Sequence, residues 1–157
     1  MEKRTQLNLY IHKFASPPKI SLNNNMPETQ KLILLADDDM EDLELLQEAI
    51  LQLQPQARLH AVTNGNMVLD YLEQTAGTEL PCLIVLDYNM PEINGAELLQ
   101  RLGSEPRYQN IPKAVWSTSN SNLYIKECME NGADAYFVKP ATNKQLLDLA
   151  NQLLSLC

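Results

Sequence analysis

From Lys31 onward short apolar runs recur along the chain, each followed by a polar break and then by apolar residues at helical spacing. Leu32 to Ala36, Leu59 to Val62, Leu83 to Leu86, Ala114 to Trp116 and Ala135 to Val138 have the length and composition of strands, five in all. Between and after them lie five sets with a three-to-four residue repeat: Leu43, Leu46, Ile50 and Leu53; Val68, Leu69 and Leu72; Ala96, Leu98, Leu99 and Leu102; Leu123, Cys128 and Met129; and Leu146, Leu147, Leu149 and Leu153. Each predicts a helix with one apolar stripe. Leu83-Ile84-Val85-Leu86 is apolar at consecutive positions, as a parallel strand covered on both faces requires. Strict alternation of strand and helix, joined by right-handed crossovers, predicts an α/β fold: an open, doubly wound sheet of five parallel strands with five helices. Ligands bind such sheets beyond the carboxyl ends of the strands, so the residues closing each run are the first candidates for chemistry.

Those closing residues are polar. The first run ends in Asp37-Asp38-Asp39, the third in Asp87, the fourth in Ser117-Thr118 and the fifth in Lys139-Pro140. Any one of them alone is a common turn former or helix cap; their occurrence together at one sheet edge is what carries meaning. Asp37, Asp38 and Asp87 placed within a few ångströms would repel one another, and a divalent cation relieves that repulsion. An all-oxygen set with no competing Cys or His cluster suits Mg²⁺. An amine facing the acids, Lys139, is suited to neutralise a transferring phosphoryl group, whose charge spreads over its equatorial oxygens. Asp87, closing the most apolar strand, is the best candidate for a carboxylate nucleophile that forms an acyl phosphate. The Ser117 hydroxyl could then hydrogen-bond a phosphoryl oxygen.

Leu34-Leu35-Ala36-Asp37-Asp38-Asp39, Leu86-Asp87-Tyr88-Asn89-Met90-Pro91, Asn94-Gly95, Ser117 and Tyr136-Phe137-Val138-Lys139-Pro140 together resemble the response regulator receiver family, in its chemotaxis-regulator-like, stand-alone form. The 30 positions from Asp87 to Ser117 and the 22 from Ser117 to Lys139 match that family's spacing. The resemblance spans about residues 31–157 and implies a flavodoxin-like sheet in the strand order 2-1-3-4-5. It implies that Asp87 is the phosphoacceptor, that Asp38, Asp87 and the backbone carbonyl of Asn89 ligate Mg²⁺, with Mn²⁺ able to substitute, and that Asp37 acts through water. Asp39 is then a bystander. Lys139 and Ser117 would contact the phosphoryl group, Ser117 and Tyr136 would form the switch pair, and Pro140 would follow Lys139 through a cis bond. The family's hydroxyl position falls on Ser117 rather than Thr118, five positions beyond Pro112. Asn89 and Ser119 fall at positions that tune the hydrolysis rate.

The resemblance further implies a sensor histidine kinase or phosphotransfer protein as donor. It implies slow self-catalysed dephosphorylation, no turnover of external substrates, and a downstream protein whose identity is unknown, bound by the helix after Ser119, the Tyr136 strand and the final helix. A homodimer through the same elements is also expected. Relay, sink and effector roles stay open. Departures from the commonest pattern are Lys113 at the head of a strand, bulky Trp116 before Ser117, and extra length at Thr75 to Pro81. Two rival functions make different demands on these residues. A phosphatase with an aspartyl nucleophile needs a second acid two residues on, where Asn89 stands and cannot act as general acid. A degenerate receiver serving as a phosphorylation-independent interaction module is the alternative, and it would be expected to have lost one of the site residues.

Charge narrows the partners. Twelve Lys plus Arg against 20 Asp plus Glu leave a net charge of −8 in 157 residues, which repels a phosphate backbone and argues against direct nucleic-acid binding. No run reaches the roughly 20 apolar residues needed to span a bilayer. Cys82, Cys128 and Cys157 are odd in number and widely spaced, so reduced thiols in a cytoplasmic protein are expected. Residues 1–30, with Ser16-Pro17-Pro18, Asn23-Asn24-Asn25 and Pro27, read as a flexible leader, although Leu7, Leu9 and Ile11 alternate as a strand would. No pattern follows Leu153 and Leu154, so no output domain is expected. His12 and His60 are given no chemistry, with His60 read as a structural strand residue.

Overall fold

A computed structural model describes residues 30–157. The leader expected over residues 1–30, with His12, therefore lies outside the described residues except for Gln30. Five strands, β1 (Leu32–Ala36), β2 (Arg58–Val62), β3 (Leu83–Asp87), β4 (Lys113–Ser117) and β5 (Ala135–Val138), alternate with five helices, α1 (Met40–Leu53), α2 (Gly65–Gln74), α3 (Gly95–Ser104), α4 (Asn122–Glu130) and α5 (Asn143–Leu156). The strands form one parallel sheet in the order β2-β1-β3-β4-β5, as expected.

The consecutive apolar residues of the central strands alternate between two cores, which is why both faces had to be hydrophobic. Ile33, Leu35, Val85, Trp116 and Phe137 pack with Leu43, Leu46 and Ile50 of α1 and Leu146, Leu149 and Leu153 of α5. Leu34, Ile84, Leu86, Val115 and Tyr136 pack on the other face with residues of α2, α3 and α4. Side chains of Asp39, Asn64, Asn94 and Thr142 accept backbone N–H bonds at the starts of α1, α2, α3 and α5, so each helix begins where the sequence leaves a strand end. The register pairs Ala36 with Val62 and Leu86, Asp87 with Trp116, and Ser117 with Val138. Asp37, Asp87, Ser117 and Lys139 consequently leave the sheet along one edge.

Lys113, expected as a departure, opens β4 in a buried position. Its ammonium is satisfied by the carbonyls of Tyr108 at 2.8 Å and Ile111 at 2.7 Å, so the charge ties down the turn before the strand. The extra length at Thr75 to Pro81 contains a single 3-10 turn, Gly77–Glu79. His60 stacks on Tyr71 with ring centroids 3.9 Å apart, the structural role expected of it.

The cysteines correct an expectation. Cys82 and Cys157 are not separate thiols: their sulfur atoms are joined, with Cα atoms 5.1 Å apart, within the usual disulfide span. The pair is 75 residues apart in sequence. It forms because α5 runs back along the sheet until its end meets the residue just before β3. Cys128 remains a buried free thiol.

Two outcomes check this packing. A cross-link closing so long a loop adds about 2–4 kcal/mol. Reductant should therefore lower the melting temperature of the wild type by several degrees and leave Cys157→Ser, already lowered, unchanged. A Cβ at Gly95 would lie 2.8 Å from the carbonyl oxygen of Asp87 and 2.9 Å from the Cα of Tyr88, both backbone atoms that cannot step aside. Gly95→Ala should destabilise the fold by about 2–3 kcal/mol in urea titration, the scale of an overpacked core site.

Candidate functional site

Three successive aspartates leave β1 with three different fates. Asp37 is wholly buried; its N–H donates to the Val62 carbonyl at 3.2 Å, and its Oδ1 accepts from the Asp39 N–H at 2.9 Å. Asp38 faces solvent. Asp39 turns back to cap α1, its Oδ1 accepting from the N–H groups of Glu41 and Asp42 at 2.9 and 3.4 Å, so the residue expected as a bystander is a structural cap. Asp87 closes β3 with 4 % of its surface exposed. One carboxylate oxygen from each of Asp37, Asp38 and Asp87 lies within 4.8 Å of the others. Three acids from two neighbouring strand ends thus share one small volume, and the all-oxygen, strongly negative donor set fits a hard divalent cation.

Lys139 reaches this cluster from the end of β5. Its Nζ donates to Asp37 Oδ2 and to Asp42 Oδ2, each at 2.7 Å, and stands 3.5 Å from Asp87 Oδ1. Asp42 was not singled out from sequence. The available signal was its spacing: three residues after the α1 cap, it stands one turn up the helix on the side facing the sheet edge. The Trp116 ring centroid lies 4.8 Å from Lys139 Nζ, so the bulky residue before Ser117 forms a wall of the site and a cation–π partner.

The expected cis bond before Pro140 is corrected, since no cis peptide occurs among the described residues. Trans is favoured before proline by about 0.5–1 kcal/mol. Lys139 is aimed without it, by its N–H bond to the Ser117 carbonyl at 2.8 Å and by the two carboxylates that hold its ammonium.

Ser117 is wholly buried at the end of β4, and its Oγ accepts from the Ser119 N–H at 3.3 Å. Thr118 is exposed. Tyr136 lies inside the protein, 2 % exposed, with its hydroxyl donating to the Ser119 carbonyl at 2.9 Å. Ser119 therefore links Ser117 and Tyr136, expected from sequence as a pair, into one connected group. Asn89 is exposed, two residues beyond Asp87.

Burial is the largest influence on the Asp87 carboxyl, followed by the charge of Asp37, and together they push its pKa up to about 7 against the pull of Lys139. Burial also raises Asp37. Burial alone would lower Lys139, but its hydrogen bonds to Asp37 and Asp42 and the charge of Asp87 overcome it and hold the ammonium above its ordinary value. Without a cation, the crowded acids thus favour a proton on Asp87.

A pH dependence follows. Between about pH 4 and pH 7 the metal-free folded protein keeps a proton on Asp87 that the unfolded chain has released, so its stability falls as pH rises through that window, by about 4 kcal/mol. In EDTA, the melting temperature should drop between pH 5 and pH 8. Asp87→Asn should flatten that profile, and Mg²⁺ added at pH 8 to the wild type should restore the lost stability.

Comparison with known proteins identifies the family and the fold. The model of the response regulator receiver domain matches residues 33–151. The two-component response regulator ORR3 of Oryza sativa is 28 % identical over 129 residues, covering 82 % of this chain and 95 % of that protein. Chemotaxis protein CheV2 of Helicobacter pylori is 32 % identical over 114 residues, covering 71 % of this chain and 35 % of that protein. Among solved structures, the phosphorylated cyanobacterial phytochrome response regulator RcpA superposes with a TM-score of 0.73 at 30 % identity, over 82 % of this chain and 96 % of that one. The Mn²⁺-bound form of response regulator Rcp1 gives 0.70 at 28 % identity, over 80 % and 92 %. Because the receiver-domain match covers most of the described residues, this chain belongs to the response regulator receiver domain family of two-component signalling systems.

Proposed function

We propose that Asp87 accepts a phosphoryl group from a histidine kinase or phosphotransfer protein, and that the acyl phosphate so formed is the signal. The observation that carries this reading is the position of Asp87: 3.5 Å from the Lys139 ammonium, within 4.8 Å of two further carboxylates, and at the buried end of the central strand. The Asp87 oxygen forms the new bond to phosphorus while the bond to the donor's imidazole nitrogen, or to an acyl oxygen of a small donor, breaks and leaves with its electron pair. Lys139 donates to a phosphoryl oxygen, exchanging part of its contact with the carboxylates for the incoming charge. Ser117 donates to a second oxygen as its bond with Ser119 rearranges, and Tyr136 responds to that movement.

Asp38, Asp87 and the Asn89 carbonyl would hold Mg²⁺, with Asp37 acting through water and Mn²⁺ able to replace it. The cation supplies the positive charge that keeps Asp87 deprotonated and that offsets the phosphoryl oxygens. Asn89 and Ser119 flank the path of an attacking water and set the rate of self-catalysed dephosphorylation. The face of α4, β5 and α5, where Leu123 is 70 % and Val138 is 43 % exposed, supports binding by a downstream protein or a second copy of the chain. No helix among the described residues is long and apolar enough to cross a membrane; the reading places the protein with its kinase's catalytic domain, in the cytoplasm.

Intact-protein mass after incubation with Mg²⁺ and acetyl phosphate tests the proposal. The wild type should gain one phosphoryl adduct, lost with EDTA and absent in Asp87→Asn, while Lys139→Ala should form it at least tenfold more slowly. A folded, metal-binding wild type that gains no adduct from any donor would point to a phosphorylation-independent interaction module.

A further inference from the structure

Beside the acidic pocket, the acceptor loop makes one partly buried polar contact that phosphoryl chemistry does not use. Tyr88 directly follows Asp87, and its carbonyl accepts the Gly95 N–H at 2.8 Å, so its backbone is bound into the acceptor turn. Its side chain points the other way, toward α4. The ring stacks on Tyr124 with centroids 4.5 Å apart and planes 17° apart, and the hydroxyl donates to Glu127 Oε2 at 2.6 Å. Tyr124 and Glu127 are neighbours three apart on α4, so one side chain grips the helix at two points. Burial and the bond to Glu127 keep the phenol protonated.

A buried tyrosine with a satisfied hydroxyl is usually packing. What sets this one apart is how little else holds α4. Only Ile125 and Cys128 of the helix are buried, with Tyr124 and Met129 half-buried against the same core, its N-cap Ser121 makes no side-chain capping bond, and its first turn carries no acid to complement the helix dipole. Leu123 in the first turn is largely exposed. The loop before the helix is held by the Tyr136 hydroxyl on the Ser119 carbonyl and by the Ser119 N–H on Ser117 Oγ. A helix with few anchors takes much of its position from each, and a charge-assisted hydrogen bond weakens steeply as its partners separate.

We propose that Tyr88, through its hydrogen bond to Glu127 and its stack on Tyr124, couples occupancy of Asp87 to the position of α4, as a second route beside Ser117 and Tyr136. The proposal rests on the reading of Asp87 as the phosphoacceptor. Addition of a phosphoryl group moves the Asp87–Tyr88 backbone, and the change reaches α4 through a rigid aromatic side chain. Both ends bias the same two-state element, which is what coupling requires. Tyr88 is thus a positioning residue and touches no reacting atom.

Hydrogen–deuterium exchange over Asn122–Glu130, in the full chain with Mg²⁺ and with or without beryllofluoride as phosphoryl analogue, tests the coupling. Tyr88→Phe keeps the ring and removes the donor; Glu127→Ala removes the acceptor from a half-buried helix position. Loss of one hydrogen bond to a charged acceptor should speed α4 exchange in the free protein by roughly tenfold in either variant. Both should still bind beryllofluoride, by fluorine NMR, and lose at least half of the exchange change that beryllofluoride induces in the wild type. A full wild-type change in α4 of both variants would reduce Tyr88 to packing and overturn the proposal. Failure of the wild type to bind beryllofluoride would overturn the phosphoacceptor reading and this proposal with it, and fluorine NMR tells the two failures apart.

Discussion

One ammonium stands among four carboxylates at the carboxyl edge of the sheet, and most of the molecule is arranged to hold it there. Lys139 is bonded to Asp37 and Asp42 and lies close to Asp87, with Asp38 at the pocket mouth. Coulomb repulsion between buried acids is strong in a medium of low dielectric, and a single cation cannot offset all of it. The residual negative charge makes the pocket receptive to a divalent cation. Burial first, and the charge of Asp37 after it, raise the pKa of Asp87 when that cation is missing. Phosphoryl acceptance and metal dependence are, on this view, two consequences of one charge imbalance.

Such a cluster is tolerable only where the sheet ends. Inside the sheet the strands are apolar on both faces and bury two cores, with α1 and α5 on one side and α2, α3 and α4 on the other. Polar residues are excluded from that interior and collect at the strand ends. Lys113 is the instructive exception at the opposite edge: its ammonium is buried without a carboxylate on it, satisfied by backbone carbonyls, and it organises a turn where Lys139 organises a reaction site. The joined Cys82 and Cys157 lie toward that same amino edge and fasten α5, away from the chemistry.

The two faces also divide the labour. Lys139 and Asp42 bring the end of β5 and the first turn of α1 to the pocket, with Trp116 beneath them. On the other face, Tyr136 and Tyr88 carry hydroxyl groups from the neighbourhood of Ser117 and Asp87 to the loop before α4 and to α4 itself. Change at the acceptor therefore has short, polar and directional paths to a sparsely anchored helix.

Much of this was legible in sequence because apolar runs closed by polar residues report local, period-two and period-3.6 constraints. The five strands, the five helices, the parallel sheet and the placing of Asp37, Asp87, Ser117 and Lys139 on one edge follow from that pattern, with no strand end off by more than one residue. Burial of Ser117 over Thr118 agreed with spacing as well. What tertiary structure alone decided are contacts between residues distant in the chain, which no local period encodes. Asp42 meets Lys139 across 97 positions, Tyr88 meets Glu127 across 39, and Cys82 meets Cys157 across 75. The trans bond before Pro140 belongs here too, because the aim of Lys139 is set by β4 and by two carboxylates rather than by the proline beside it. Sequence determined which groups arrive at the edge; the packing of helices on the sheet decided which of them touch.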